Sequence, residues 1–270
     1  MNELYLFRND LRLADNPGLL SHAGGDTLLC VYCWPATPAW CNLTGVGRQR
    51  ERFLRESLRA LHEELATMGQ GLLVLHTDPR VAIPQLVELF GIDRVGTQAA
   101  PGHYEARQLN ALGEKLAVPL DVHQNAALFE GDRLPSGLEK LPRQFTPFRR
   151  QVETLDVTGP LQAPSRLPPP PSNTRFAPVA ASDVNPHPAF PVRGGSTEGH
   201  RRLRQWMFER RRASEYKQTR NYLDGLEGSS VLSPWLATGA LSPREVAHAL
   251  FEFEAREGQS DSTRHLFMEL

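Results

Sequence analysis

Three serines lie within five residues of one another in the second half of this 270-residue chain. Ser229, Ser230 and Ser233 stand just before Pro234, where a helix is predicted to begin. Hydroxyls and free backbone amides at the start of a helix favour an anion. The simpler interpretation is that Ser229 or Ser230 only caps that helix, and the residues alone leave both interpretations open.

A basic segment precedes these serines. Between Arg193 and Arg220, nine Lys or Arg stand against three Glu, a local excess of +6 in a chain whose net charge is −1. Such a cluster is an electrostatic footprint for phosphates, and Arg211, Arg212 and Arg220 are its candidate contacts with nucleic acid. The alternative is a solvated helix face.

The cysteines and histidines offer no recognisable metal or disulfide pattern. Cys30, Cys33 and Cys41 cannot form an even set of disulfides, and the first two lie in or beside an apolar strand-like run. Free thiols are therefore expected. None of the nine histidines stands at a zinc-ligand spacing with a second His or Cys, so the sequence predicts no metal site.

Five short apolar runs alternate with amphipathic helices in the first 130 residues, an order that predicts a parallel sheet. The predicted strands are Leu4–Phe7, Leu28–Cys33, Leu72–Leu75, Arg94–Gly96 and Leu120–Val122, and the predicted helices are Arg48–Met68, Val81–Phe90 and Glu105–Leu116. The fold class is α/β, with a Rossmann-like sheet covered by helices on both faces. Ligands of such sheets collect at the carboxyl ends of the strands. No glycine-rich fingerprint follows the first strand, which argues against a nicotinamide dinucleotide.

A proline-rich stretch, 157–192, divides the chain. Proline fixes φ and lacks a backbone donor, so this stretch is predicted to be a linker and not a core element. Beyond it, Gly199–Ser214 and Pro243–Glu257 are predicted helices, and the second region is expected to be purely helical. We therefore expect an α/β domain over 1–135, a linker over 136–192 and a helical domain over 193–270. No stretch approaches the ~20 apolar residues that span a bilayer, so the expected location is the cytoplasm.

Three segments together resemble the DNA photolyase/cryptochrome family over nearly the whole chain. Phe7–Asn16 (FRNDLRLADN) is similar to that family's opening strand and loop. Tyr216–Asn221 (YKQTRN), followed by Ser229–Arg244 (SSVLSPWLATGALSPR), is similar to its flavin-binding region in order and spacing. Gln144–Glu153 (QFTPFRRQVE) and the Gly-Gly pair before Ser196 favour the cryptochrome DASH branch, although that branch usually has Glu at the last of these positions.

The resemblance implies two cofactors, FAD and a methenyltetrahydrofolate antenna. The implied FAD contacts are Tyr216, Ser229, Ser230, Val231, Leu232 and Ser233. Tyr216 could equally be a packing residue with its hydroxyl in water. Tyr104 and Glu105 are the implied antenna contacts, although a glutamate in a first helical turn is also ordinary helix chemistry. Arg220 matches a position that faces DNA phosphate, and Glu269 matches one that contacts the pyrimidine lesion.

By resemblance the protein is a deoxyribodipyrimidine photo-lyase, in which light drives an electron from reduced FAD to a cyclobutane pyrimidine dimer. The implied partner is DNA that contains such dimers, single-stranded in the DASH branch, and the implied state is a monomer without a membrane partner. A signalling cryptochrome and a non-catalytic nucleotide- or pigment-binding domain are the alternatives. Phe267–Leu270 resembles the start of the family's next helix, so the chain is expected to be a fragment, inactive by itself.

Overall fold

The computed structural model describes residues 1–35, 45–135, 137–222 and 225–270, and Cys41 lies outside them. One sheet contains β1 (Asn2–Phe7), β2 (Thr27–Cys33), β3 (Leu73–Leu75), β4 (Arg94–Gln98) and β5 (Leu120–His123). The strands are parallel in the order β3-β2-β1-β4-β5, so the order reverses between β1 and β4. The predicted Rossmann-like sheet is confirmed, and each strand lies within two residues of its expected bounds.

Helices cover both faces of the sheet and build the second region. They are α1 (Pro17–His22), α2 (Arg48–Ala66), α3 (Pro79–Phe90), α4 (His103–Gly113), α5 (Phe145–Val152), α6 (Ser196–Arg204), α7 (Tyr216–Thr219), α8 (Ser233–Thr238), α9 (Pro243–Glu257) and α10 (Asp261–Met268). Tyr5 and Phe7 pack toward α1 and α2, whereas Leu4 and Leu6 pack toward α3 and α4, because successive strand residues point to opposite faces.

The second region differs from its prediction in two places. The expected continuous helix Gly199–Ser214 is interrupted, because α6 runs into a π turn and Arg211 then has a left-handed φ of 53°. That conformation is unfavourable for a residue with a Cβ and ends the helix. Phe267 and Met268 form the last turn of α10, which begins at Asp261, so the expectation that a helix starts there is wrong.

The proline-rich stretch packs against the sheet. Leu167 is buried and joins the core between the sheet and α2. The backbone N–H of Leu28 donates to the carbonyl of Pro169 at 3.0 Å. The expectation that this stretch contributes nothing to the core is therefore wrong for Leu167.

The loop after β1 joins the sheet to the helical region. Arg12 is 2% exposed. Its guanidinium donates to the backbone carbonyls of Asp15 and Gly239 at 2.9 Å and to that of Asn125 at 3.1 Å. Asp15 forms a buried ion pair with Arg244 of α9 at 2.7 Å. The segment FRNDLRLADN thus has a structural role, because it fixes how the two regions meet.

The contact between α6 and α9 is expected to depend on pH. His200 bonds the Glu245 carboxylate at 3.1 Å, and this bond raises the pKa of His200 against the opposing effect of burial. A raised folded-state pKa gives stabilisation that is complete below the unfolded pKa of about 6.5 and is lost as pH rises through the folded value. We expect His200→Gln to cost more stability at acidic than at alkaline pH in urea unfolding. A cost independent of pH would contradict this.

Candidate functional site

A cleft of about 1360 Å³ opens at the carboxyl ends of β1 and β2, where this sheet topology is expected to bind ligands. Its walls come from both regions of the chain. They include Phe7, Arg8, Tyr32, Trp34, Tyr104, Glu105, Gln108, Phe190, Ser233, Ala237 and Thr238. The structure therefore places a predicted flavin contact, Ser233, and the predicted antenna contacts, Tyr104 and Glu105, on one cleft.

The cleft combines a cationic donor with an aromatic wall. Arg8 donates from Nη2 to Gln108 at 3.2 Å, whereas its buried Nη1 has no hydrogen-bond partner among the described residues. Burial also lowers the pKa of Arg8. Trp34 stacks on His76 with 5.4 Å between ring centroids, and the Arg55 guanidinium lies 4.9 Å above the Trp34 ring. An anionic ligand would find an unused donor here, beside a tryptophan that lines the same cleft.

The two predicted antenna contacts differ in their surroundings. Tyr104 is 78% exposed and touches the ring of His103 edge-on. Glu105 lies in the first turn of α4, and its carboxylate folds back over Gly102. A carboxylate in this position also favours the helix by itself.

One cluster contains Tyr216, Arg220, His265 and Glu269, and we call it the Tyr216 cluster. The Tyr216 hydroxyl donates to Glu269, and Arg220 pairs with the same carboxylate. His265 lies 3.2 Å from it, one turn earlier in α10. Burial, with the bond to Glu269, raises the pKa of Tyr216. The structure therefore excludes a Tyr216 hydroxyl that only meets water, and it unites three residues that the sequence singled out separately.

The loop before α8 is held in place by Arg202. Its guanidinium donates to the carbonyls of Ser230 at 2.9 Å and Ser229 at 3.1 Å. Val231, the next residue, has a φ of 55°. A β-branched residue there stores about 1–3 kcal/mol of strain that the surroundings must offset. Sequence reasoning counted Arg202 only as part of the basic segment and missed this role.

The serine side chains of this loop have no role in capping α8. The N-cap is Leu232, without a side-chain cap bond, so the interpretation that Ser229 or Ser230 caps this helix is wrong. The structure shows no hydrogen bond from the three serine hydroxyls to another described residue. Thr219 of α7 donates to the carbonyl of Gly228 at 2.8 Å, which places the loop beside the Tyr216 cluster.

The basic segment is largely neutralised by acids from outside it. Arg211 pairs with Glu257, and Lys217 pairs with Asp261 at 3.1 Å. Arg212 pairs locally with Glu215 at 3.0 Å. These ion pairs are exposed, and exposed pairs contribute little to stability. A DNA phosphate could therefore replace the carboxylate as the partner of each cation. The local excess of +6 therefore overstates the positive charge of the folded surface.

The thiols and the helices add two further observations. Burial raises the pKa of Cys30 and Cys33 to about 12, so both are unreactive thiols. Within the described ranges, no helix combines the length and apolar character needed to cross a bilayer.

Comparison with known proteins gives a consistent result. Residues 3–171 match the family model for DNA photolyase. The chain is 35% identical to a cryptochrome DASH of Vibrio parahaemolyticus, covering 99% of this chain and 61% of that protein. It is 33% identical to a cryptochrome DASH of Idiomarina loihiensis, covering 99% and 60%. A Synechocystis cryptochrome structure superposes with a TM-score of 0.92 at 30% identity, covering 99% of this chain and 59% of that one. The chain thus spans about three-fifths of the length of these relatives.

Proposed function

This chain belongs to the DNA photolyase family, and from that premise we propose that the protein is a light-dependent, FAD-containing repair enzyme of the cryptochrome DASH type. Its substrate would be the cyclobutane pyrimidine dimer in single-stranded DNA. The family implies FAD and an antenna chromophore. The observation that carries the proposal is the Tyr216 cluster, because the proposed flavin, DNA and lesion contacts meet there beside the serine loop.

The loop before α8 fits an anionic cofactor. The carbonyls of Ser229 and Ser230 face Arg202, while the hydroxyls of Ser229, Ser230 and Ser233 remain available as donors. Val231, Leu232 and Tyr216 complete the proposed FAD contacts. When bound, FAD supplies the light-driven electron that splits the dimer. The residues of this chain bind and orient the cofactor, and Arg202 keeps the loop in its strained form.

The Tyr216 cluster fits a lesion contact. The Tyr216 hydroxyl donates to the Glu269 carboxylate and Arg220 pairs with it, so the carboxylate is fixed before a base arrives. A carboxylate accepts hydrogen bonds from the N–H groups of a pyrimidine edge. A damaged base costs less to extrude than a normal pair, and least in a single strand.

The cleft at the end of β1 fits the folate antenna. Arg8 has an unused donor there, Trp34 offers an aromatic wall, and Tyr104 and Glu105 lie on the same rim. We assign methenyltetrahydrofolate to this cleft, with Tyr104 and Glu105 as its contacts.

Light-dependent repair tests the proposal. The chain spans about three-fifths of the length of these relatives, so we expect this polypeptide alone to enclose FAD incompletely, to retain little of it and to repair nothing. Joined to the remaining part of a cryptochrome DASH relative, it should copurify with FAD and split thymine dimers in single-stranded oligonucleotides only under illumination. FAD retention without repair would favour a signalling cryptochrome. A folded chimera without blue absorption would favour a non-catalytic binding domain.

Arg202→Ala is expected to weaken FAD binding about tenfold or more. The two loop carbonyls lose their hydrogen bonds to the guanidinium, and these bonds hold the strained loop in its conformation. The measurement is quenching of flavin fluorescence on binding to the same chimera. Arg204→Ala, an exposed neighbour on α6, is the matched control and should bind FAD normally. Equal affinities in the two variants would show that Arg202 does not position the loop.

Replacing Arg211, Arg212 and Arg220 by alanine is expected to flatten the salt dependence of single-stranded DNA binding. Each phosphate contact in a single strand contributes about 0.7 to the slope of log K against log salt, so the slope should fall by about 2. Arg59→Ala with Arg80→Ala, both exposed arginines of the α/β domain, should leave the slope unchanged. An unchanged slope in the triple variant would mean that the basic segment is a solvated face.

A further inference from the structure

Three potential metal ligands meet outside the cleft and the Tyr216 cluster. His22 ends α1, whereas Asp121 and His123 are two residues apart on β5 and so share one face of the sheet. One ligand atom from each lies within 4.8 Å of the other two. The two imidazole rings meet edge to face, with centroids 5.7 Å apart. The sequence showed no such group because His22 is far along the chain from the other two.

Each of these imidazoles has a buried nitrogen without a partner. His22 is fully buried, and its Nδ1 lies 2.5 Å from the carboxylate of Glu3, which is itself buried. An ionised carboxylate can only accept a hydrogen bond, so the Nδ1–H of a neutral His22 ring donates to it and Nε2 carries a lone pair. Nε2 of His22 and Nε2 of His123 are both buried without a hydrogen-bond partner among the described residues. Such orphaned polar atoms are rare in proteins, and each needs an explanation.

We propose that His22, Asp121 and His123 bind one divalent transition-metal ion, preferentially Zn²⁺. Two imidazoles and one carboxylate form a donor set that Zn²⁺ accepts with a water in the fourth position. The bond from Glu3 to His22 matches the carboxylate–histidine pair that orients metal-binding imidazoles and fixes their tautomer.

The charges and the space around the group suit a cation. Glu3 and Asp121 carry two negative charges, and Arg94 pairs with both, so one negative charge remains for the ion. The ring of His22 lies against Gly96 of β4, where a Cβ would be 2.1 Å from Nε2. Any larger residue at position 96 would displace the His22 ring from its position beside β5.

Small side-chain movements would complete the coordination. Nε2 of His22 is 4.0 Å from Oδ2 of Asp121, whereas two ligands of a tetrahedral Zn²⁺ ion are about 3.3–3.5 Å apart. The Asp121 side chain is 36% exposed, so it can rotate inward and also leaves a path for the ion. The same Oδ2 atom of Asp121 accepts from Nη1 of Arg94 at 3.1 Å, so the carboxylate would turn to offer its second oxygen, Oδ1, to the ion while Oδ2 keeps Arg94. The bound ion would link α1 to β5 across β4 and stiffen that edge of the sheet.

Metal titration of the untagged, chelator-treated 270-residue chain tests the assignment. We expect one Co²⁺ per chain, seen as visible ligand-field absorption and displaced by Zn²⁺. His123→Ala and Asp121→Asn change partly exposed side chains of β5, and each should weaken binding at least tenfold. His103→Ala, an exposed histidine outside the group, is the matched control and should bind normally.

A thermal scan gives a second readout that does not depend on colour. Zn²⁺ should raise the unfolding midpoint of the unmodified chain and of His103→Ala, but not that of His123→Ala, because an ion that binds only the folded state stabilises it. The proposal is overturned if less than one equivalent of Co²⁺ binds. It is equally overturned if His123→Ala and Asp121→Asn bind the ion as tightly as the unmodified chain.

Discussion

Replacing Gly239 by alanine is expected to lower the free energy of unfolding by at least about 3 kcal/mol. Gly239 ends α8 with a φ of 66°, which is unfavourable for any residue with a Cβ. An added Cβ would lie 1.9 Å from the carbonyl oxygen of Asn9 and 2.5 Å from Cα of Asp10. Both are backbone atoms of the loop after β1, so they cannot turn aside as a flexible side chain could. The sheet and the helical region would have to separate.

Gly91→Ala is the matched control for this variant. Gly91 also ends a helix, α3, with a φ of 58°, but an added Cβ there would meet nothing within 4 Å. Gly91→Ala should therefore lower the free energy of unfolding only by the cost of a left-handed backbone at alanine, about 1–2 kcal/mol. Urea unfolding of the two variants separates strain from steric clash. Equal costs would show that α8 does not pack as closely on the loop as the structure indicates.

The sheet and the long helices were predictable because their hydrophobic patterns are local. Leu54, Leu58 and Leu61 repeat at helical spacing and pack on the sheet as α2. The helices α1, α5 and α10 were not predicted, since six to eight residues carry too little pattern. Asn16, which caps α1 before a proline, and Ser260, which caps α10, were nevertheless readable start signals.

The candidate site was predictable residue by residue but not as an arrangement. Tyr216, Arg220 and Glu269 were each named from the sequence, yet only tertiary packing shows that Glu269 neutralises Arg220 and orders Tyr216. The same limit applies to charge, because a segment count of +6 ignores acids that approach from α9 and α10. Arg202 was missed for a related reason. Its partners are backbone carbonyls, which every residue has, so the sequence does not show which of them a side chain will bind.

Arg12→Ala is expected to cost about 3–5 kcal/mol of unfolding free energy, because it removes one guanidinium that serves three separate segments. The carbonyls of Asp15, Asn125 and Gly239 would lose their donor in a buried place, and each buried acceptor left unpaired costs about 1–3 kcal/mol. These costs are coupled, so the total is less than their largest sum. The effect follows from geometry, since only a planar fork of N–H donors reaches all three.

Two further variants show how much of this cost comes from the planar guanidinium. One keeps the positive charge without the guanidinium, and the other removes an arginine from an exposed position. Arg12→Lys keeps the positive charge but not the fork, and it should lie between the unmodified chain and Arg12→Ala in urea unfolding. Arg59→Ala removes an exposed arginine of α2 that forms an exposed ion pair with Glu63, and it should cost less than about 1 kcal/mol. If Arg12→Ala were no more destabilising than Arg59→Ala, the loop after β1 would not be what holds the two regions together, and the expected clash at Gly239 would lose its basis as well.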